Sequence, residues 1–525
     1  MAGDEQNPYT PPAAPIAAEH ASGQVADRLS GDAHDHTRHE GLLALRNAAK
    51  LAASMILTWG VALIVTFKLP KYLGPERFGH YRFGDQFAMS LAVFLSLGVD
   101  TYISREIAVR PKHLSEFFGG VLVTRALVIL PLIVVAFFFL DGEVHERRLA
   151  AGLFALAYLF TALNQTFQQT LQAASKVDGL AVANVVAKVL WGGGTFAAVT
   201  MQAPFWVLPL PMVVGEGLKC AILYVATRDA VDLKLRIDLE ETKKVLKISF
   251  PFYIANVAVS LGSSIDIVVL GKIVSKTSEE VGWYGSARQI AALSALLSPI
   301  MSGVLIPMMS RAKARNVDDF YRILRRGFEA VLVVSLPLTL ILALGAEYWI
   351  HITIKDRFLP AADSLRWLAP TFVFAYANVL LWLALMILDR SWTITIVSIA
   401  GLLLLPVLII IAVPLFAPMG PGGAGMGVAI ALSTRELIIV LVFLAFLREK
   451  AMDRRAVASV VKSLLICVAV VVADHFMKPH LIPPLRLALD AALYGLLAVA
   501  VGVIAPKDIK AVVKMVKDRK KNAAS

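Results

Sequence analysis

Apolar residues fall in runs close to 20 residues long, with polar and charged residues gathered between them. A run of that length matches a helix crossing a bilayer core of about 30 Å. Six runs lie near 49–69, 85–104, 117–140, 149–172, 181–200 and 205–227. A charged segment, 228–247, separates them from six more near 248–270, 283–310, 327–350, 367–388, 392–417 and 425–447. Two weaker runs, near 463–477 and 487–505, precede a basic tail that starts at Lys507. The pattern predicts an all-α integral membrane protein of about fourteen transmembrane helices. It lacks the ten-residue alternating segments that mark an outer-membrane barrel.

The pattern also repeats. Phe78-Gly79-His80-Tyr81 can be laid on Val281-Gly282-Trp283-Tyr284, so that the first and seventh runs superpose. At nearly the same offset, Ser104-Arg105 falls on Ser310-Arg311, and Leu130-Pro131-Leu132 on Leu336-Pro337-Leu338. Two six-helix lobes of like orientation follow, pseudo-symmetric, with a binding cavity expected between them near mid-membrane. The division is a disordered tail at 1–40, a first lobe at 41–240, a second at 241–450, two helices within 451–506, and a basic tail at 507–525. The glycine of each Gly-x-Tyr reads as a tight turn where the chain re-enters the bilayer. Pro131, Pro211, Pro337, Pro370, Pro406 and Gly192-Gly-Gly194 read as places where helices bend or break.

Composition adds the solvent. Of 525 residues, 58% are hydrophobic and the mean hydropathy is +0.69. A soluble fold could not hide that much apolar surface, so most of the chain is solvated by lipid. The net charge of +12 is explained by sidedness rather than by nucleic acid. Most Lys and Arg fall on the segments that share a side with the termini, which places both termini in the cytoplasm. Cys220 and Cys467 sit inside apolar runs, which implies no disulfide framework. No Cys/His spacing suits a metal, and His34, His36 and His39 in the tail read as solvated. No phosphate-cradling Gly-rich loop ending in Lys-Ser/Thr is present, so no ATP site is expected, and no catalytic constellation marks an enzyme.

Charges inside apolar runs are the first functional candidates. Each costs about 2.5–3.5 kcal/mol at the centre of a spanning helix unless it faces protein or water. The basic ones are Arg125, Lys188, Lys219, Arg288 and Arg435; against them stand Glu216, Asp266 and Glu436. The excess of cations suggests a wet, positive cavity for an anionic head group. Glu216 and Lys219 are spaced to pair. Arg435 and Glu436 point about 100° apart on a helix, so each is expected to need another partner. The fourth run carries Thr161, Asn164, Gln165, Gln168 and Gln172 on one helical face, read as helix glue or as a wall for sugar hydroxyls. Asn256, Ser260 and Ser263 make a smaller stripe on the seventh. Asp266, with Glu216 behind it, is the candidate for ion coupling, since a carboxylate inside a span can carry a proton or help bind sodium.

These residues resemble a known group. Leu73-Gly-Pro-Glu-Arg-Phe-Gly-His-Tyr81 with Gly98 and Ser104-Arg105 is similar to the opening of the polysaccharide flippases. So are Phe250-Pro251 through Asp266, Val281-Gly-Trp-Tyr-Gly-Ser-Ala-Arg-Gln-Ile290, and Pro307-x-x-Ser310-Arg311. That family belongs to the multidrug, oligosaccharidyl-lipid and polysaccharide exporter superfamily, and the likeness covers about residues 42–450. It implies two lobes forming a V around a cavity that opens alternately to either side of the inner membrane. The implied cargo is a polyprenyl-diphosphate-linked oligosaccharide moved to the outer leaflet, with cavity cations meeting the diphosphate. An ion gradient or the membrane potential would drive it, beside a polysaccharide polymerase and glycosyltransferases. Arg125, Lys188, Arg288, Arg435, Asn164, Gln165, Gln168 and Asn256 are the substrate-binding candidates. Two other readings stay open: a multidrug or cation antiporter of the same superfamily, and a non-transporting scaffold for glycan-assembly enzymes.

Overall fold

The structure, a computed structural model, describes residues 60–107, 110, 113–174, 176, 178–234, 236–276, 279–292, 298–447 and 451–503. Both expected tails, with His34, His36 and His39, lie outside the described residues. Among those described there is no strand; the fold is all helix. Among the described residues, eleven helices are long and apolar enough to cross a membrane.

Residues 60–92 are helical throughout (α1), with one residue off the usual helical backbone angles. Gly74 has φ +71, a left-handed conformation that glycine adopts without strain. Pro75 follows it within the helix. The positive φ therefore lies at Gly74, and no turn lies at Gly79 as expected. Gly79 is inside α1, and its missing side chain serves packing. A Cβ there would come within 3.0 Å of the Gly282 amide nitrogen, so the two glycines matched by the repeat meet each other.

Beyond α1 come a 3₁₀ turn, Val93–Ser96, and α2, Val99–Glu106. Between them Leu97 and Gly98 take left-handed conformations. Then follow α3 (Leu114–Leu140), α4 (His145–Ala173), α5 (Asp178–Thr200) and α6 (Leu210–Val231). The next span is split into α7 (Leu239–Gly262) and α8 (Ile265–Ile273). Two shorter helices, α9 (Glu280–Ala291) and α10 (Ser298–Arg315), precede α11 (Val317–Leu344), α12 (Ala346–Thr353) and α13 (Ala361–Leu368). The chain continues with α14 (Thr371–Ile387), α15 (Ser391–Phe416), α16 (Gly423–Leu447), α17 (Arg454–Met477) and α18 (Pro483–Ala500).

The eleven long helices overlap eleven of the expected spans. The other three expected spans are seen in pieces: the first is described only from residue 60, the second is broken at 93–98, and the eighth is described only as α9 and α10. The expected breakers act otherwise. Pro131, Pro337 and Pro406 sit within continuous helices. Pro211 lies in the first turn of α6 and Pro370 caps α14. Gly192 and Gly194 lie inside α5, where added Cβ atoms would strike Val61 and Pro211; small residues here let helices approach closely.

Large apolar side chains on α3, including Leu127, Leu130, Phe137 and Phe138, are exposed, as suits a lipid-facing helix. One core joins Phe78, Phe83, Tyr284, Phe358, Leu405 and Val428. A second gathers α10, α11, α14, α17 and α18 around Phe320, Leu332, Leu381 and Val470. The first part of α7 lies against α2 and α3: a Cβ on Gly98 would come within 2.6 Å of both Ser249 O and Tyr253 N. Helix ends are satisfied locally. Asp238 accepts from Glu241 N (3.0 Å), and Glu280 reaches across to the start of α16, accepting from Gly422 N (2.8 Å) and Gly425 N (3.0 Å). The two cysteines are free thiols.

Candidate functional site

The split between α7 and α8 exposes two helix ends within a span. A helix C-terminus carries unpaired carbonyls and partial negative charge; an N-terminus carries unpaired N–H groups and partial positive charge. The chain answers both. Arg435 of α16 donates from Nη1 to Gly262 O at the end of α7 (3.0 Å). Asp266, in the first turn of α8 and 1% exposed, accepts from Ile267 N at Oδ1 (2.9 Å). Its Oδ2 accepts from Tyr284 OH (2.7 Å) and Arg288 Nε (3.0 Å), both on α9. The sequence named Asp266, Arg288 and Arg435 but did not place a break at Gly262–Ser264.

Arg435 also pairs with Glu436, contrary to the expectation that adjacent residues would diverge. Two long side chains can meet beyond the helix surface, which a count of helical angles does not capture. Glu436 Oε2 accepts in turn from Asn378 Nδ2 (2.6 Å). The first half carries a counterpart: Asn164 Nδ2 donates to Glu216 Oε2 (2.8 Å) and Glu216 O (3.1 Å), and Lys219 lies 3.9 Å from that carboxylate.

Between α1, α4, α5 and α6 lies a cavity of about 240 Å³, with Gln289 of α9 also in its wall. Val65 and Leu69, before Gly74 on α1, line the same space as Tyr81 and Asp85 after it. Its charged lining is Arg82, Asp85, Lys188 and Glu216. Asp85 is saturated: Arg82 Nη1 (2.7 Å) and Gln86 Nε2 (3.1 Å) donate to Oδ2, and Tyr158 OH (2.8 Å) to Oδ1. Glu216 is held by Asn164 and Lys219. Lys188 lies 4.6 Å from the centre of the Trp191 ring, and among the described residues no carboxylate is within ion-pair distance of it. The lining is thus not the strongly positive surface expected. Its carboxylates are matched, and the one cation left over is Lys188.

Other candidates lie elsewhere. Arg125 is 3% exposed and donates to Leu95 O (2.8 Å) and Thr166 Oγ1 (2.8 Å). It holds the 3₁₀ turn of the broken second span to α3 and α4, away from the cavity. Asn164 is fully buried and ties α4 to α6. Gln165 is exposed and Gln168 half-buried, and neither lines the cavity, so the stripe on α4 is not a cavity wall. Asn256 is exposed on α7, 3.4 Å from Ser96 Oγ. Sequence reasoning missed Arg82, Asp85 and Tyr158. One signal was available: in the repeat alignment Asp85 falls on Arg288 and Gln86 on Gln289.

A second buried polar cluster joins α1, α4 and α8. Arg147, 0% exposed, donates from Nη1 to Glu143 Oε2 (3.0 Å) and Gly271 O (3.1 Å), and from Nε to His80 Nδ1 (3.1 Å). Lys272 Nζ adds a bond to Glu143 Oε1 (2.8 Å). Burial alone would raise the Glu143 carboxyl, but the Lys272 hydrogen bond and the Arg147 charge hold it below its ordinary range. With Gly79 against Gly282, this cluster fastens the repeat's two halves at the end where α3 meets α4.

Comparison with known proteins gives the arrangement its kin. A protein of Escherichia coli (strain K12) named for O-antigen transport is 23% identical over 343 residues, 64% of this chain and 81% of that one. The lipid II flippase MurJ in an inward closed conformation superposes with a TM-score of 0.67 at 16% identity, over 86% of this chain and 98% of MurJ. An inward-facing multidrug resistance MATE transporter of the MOP superfamily gives 0.59 at 16% identity, over 77% of this chain and 98% of that one. The chain has the fold of these membrane proteins. The polysaccharide biosynthesis protein family matches residues 44–313, just over half of the 525, and the chain belongs to that family.

Proposed function

We propose that this multi-pass membrane protein is a flippase that moves a polyprenyl-diphosphate-linked oligosaccharide from the cytoplasmic to the outer leaflet of the inner membrane. One observation carries the reading: a cavity between α1, α4, α5 and α6 presents one cation, Lys188, that its carboxylates leave uncompensated. Lys188 is exposed, and an ammonium without a counter-ion beside a cavity offers a site to an anion such as the cargo's diphosphate. Trp191 beside it offers an aromatic face for a sugar ring. The cavity is smaller than the ~300–1,000 Å³ of pockets that enclose a drug-sized ligand, so admitting the cargo requires the helices to part.

In this reading residues 41–240 and 241–450 are two lobes that rock about the Gly79–Gly282 crossing, opening to alternate sides, with both termini cytoplasmic. The drive is an ion gradient or the membrane potential, about 2.3 kcal/mol per charge per 100 mV, without ATP. Asp266 and Glu216 are the coupling carboxylates, and a cation arriving at Asp266 would displace Arg288. Lys188, Arg288 and Arg435 remain the proposed cargo contacts, joined by Arg82; Arg125 and Asn164 are assigned to structure. A multidrug antiporter would need an unmatched acid in the cavity, whereas Asp85 and Glu216 each have donors.

Flipping of a fluorescent polyprenyl-diphosphate glycan by the purified chain in liposomes tests this. Lys188→Gln is expected to slow it about tenfold, equivalent to about 1.4 kcal/mol of barrier, while Lys188→Arg retains most of the rate. A Lys188→Gln protein that flips at the wild-type rate would remove the anion-binding role.

A further inference from the structure

The hairpin of α17 and α18 encloses a charged cluster that transport through the cavity does not use. Asp474 of α17 and Arg486 and Asp490 of α18 are all buried. Arg486 Nε lies 3.1 Å from Asp474 Oδ1, and Arg486 Nη2 donates to Leu344 O at the end of α11 (3.2 Å). Next to it, Leu487 packs on Gly345, where an added Cβ would come within 2.6 Å of the leucine Cδ1. Arg486 thus joins the hairpin to α11. Asp490 follows Arg486 by about one turn of α18. It is 0% exposed, and neither of its carboxyl oxygens has a hydrogen-bond partner among the described residues. The Asp474 side chain is within its hydrogen-bonding reach. No other charge comes near. The charged residues of α11 end at Glu329, in its first half, and His475 and Lys478 beside Asp474 are exposed. The cluster therefore sets two acids against one base.

We infer that Asp490 and Asp474 form a binding site for one proton, carried by Asp490 and donated to the Asp474 carboxylate. An ionised carboxylate only accepts hydrogen bonds, so two of them have nothing to offer each other. Two like charges side by side in a buried place do not both ionise, and Arg486 balances only one. It lies beside Asp474, so Asp474 keeps the charge and Asp490 the proton. With the proton in place, Arg486 serves Asp474 and the Leu344 carbonyl. Without it, Arg486 would face a second anion on its own helix and be drawn away from that carbonyl. Protonation of α18 is in this way tied to the seating of the hairpin on α11. None of this depends on what the protein carries.

Infrared spectroscopy of the purified full chain, with isotope-labelled aspartate and at neutral pH, reads the proton directly. The wild-type spectrum minus that of Asp490→Asn is expected to show the carbonyl band of one protonated aspartate. Asp490→Asn should unfold at the wild-type temperature, because an amide can also donate to Asp474. Asp474→Asn should lose the band too, since Asp490 must then ionise to balance Arg486. A difference spectrum without the band would mean that Asp490 is ionised, and overturns the inference. If sodium, compared with choline, then raises the unfolding temperature of wild type but not of Asp490→Asn, a metal cation holds the place assigned to the proton. An Asp490→Asn chain that does not fold would show that the negative charge itself is needed, and a band that survives Asp474→Asn would show that the two acids do not share the proton. Either result overturns the inference as well.

Discussion

Asp266→Ala is expected to destabilise the protein by about 3–5 kcal/mol, the usual cost of removing one partner from a buried ion pair. That is a large share of the 5–15 kcal/mol by which folded domains exceed their unfolded state. The cost arises because Arg288 loses its carboxylate and the Tyr284 hydroxyl its acceptor, at a place 1% exposed to solvent. Removing both charges should cost less than removing the acid alone, because no charge is then left stranded. Thermal unfolding in detergent is the measurement, with flipping recorded in parallel. Asp266→Ala should unfold at markedly lower temperature, and Asp266→Ala with Arg288→Ala should recover much of that loss. The double variant should still fail to flip, because the ends of the split span have lost the charges proposed to meet cargo and coupling ion. A double variant that flips normally at normal protein levels would detach these charges from transport.

Gly282→Val should be as damaging for a steric reason. A Cβ at Gly282 would overlap the carbonyl oxygen of Pro75, and one at Gly79 would crowd the Gly282 amide. The oxygen belongs to helical backbone, so it cannot turn away. The crossing of α1 and α9 must open. Overpacking of this kind costs about 1–3 kcal/mol and sometimes more; with two branched methyls the upper end is expected. Gly152→Ala in α4 is the contrast, since nothing lies within 4 Å of a Cβ there. It should stabilise by about 0.5–1 kcal/mol through helix propensity. Opposite shifts in unfolding temperature for the two substitutions would support the crossing; a neutral Gly282→Val would refute it.

How much of this was readable beforehand follows from the physics of each signal. Span lengths are set by bilayer thickness, so the long helices were visible as apolar runs. The positive φ at Gly74 was also written in the chain, since a Gly-Pro pair is a strong turn signal, but the repeated Gly-x-Tyr drew the expected turn to Gly79. The repeat itself was real there for another reason: matched glycines allow matched helices to touch. Arg82 and Asp85 escaped notice because they flank the start of an apolar run, where charges look solvated. Arg125 was rightly singled out as a charge needing a partner. Its partner is the carbonyl of Leu95 in a 3₁₀ turn, and no periodicity foretells a broken helix. The split at Gly262–Ser264 was likewise hidden, because Ser and Gly are ordinary residues in membrane helices. What the pattern could carry was which residues are costly in lipid; what it could not carry was which of them meet.

The central claim is that a phosphate-bearing head crosses through the cavity beside Lys188. A structure of the purified chain with a polyprenyl-diphosphate-linked sugar bound tests it most directly. The account predicts the diphosphate within hydrogen-bonding reach of Lys188, between α1, α4, α5 and α6. A cargo bound with its diphosphate elsewhere, and that space left to water, would contradict it.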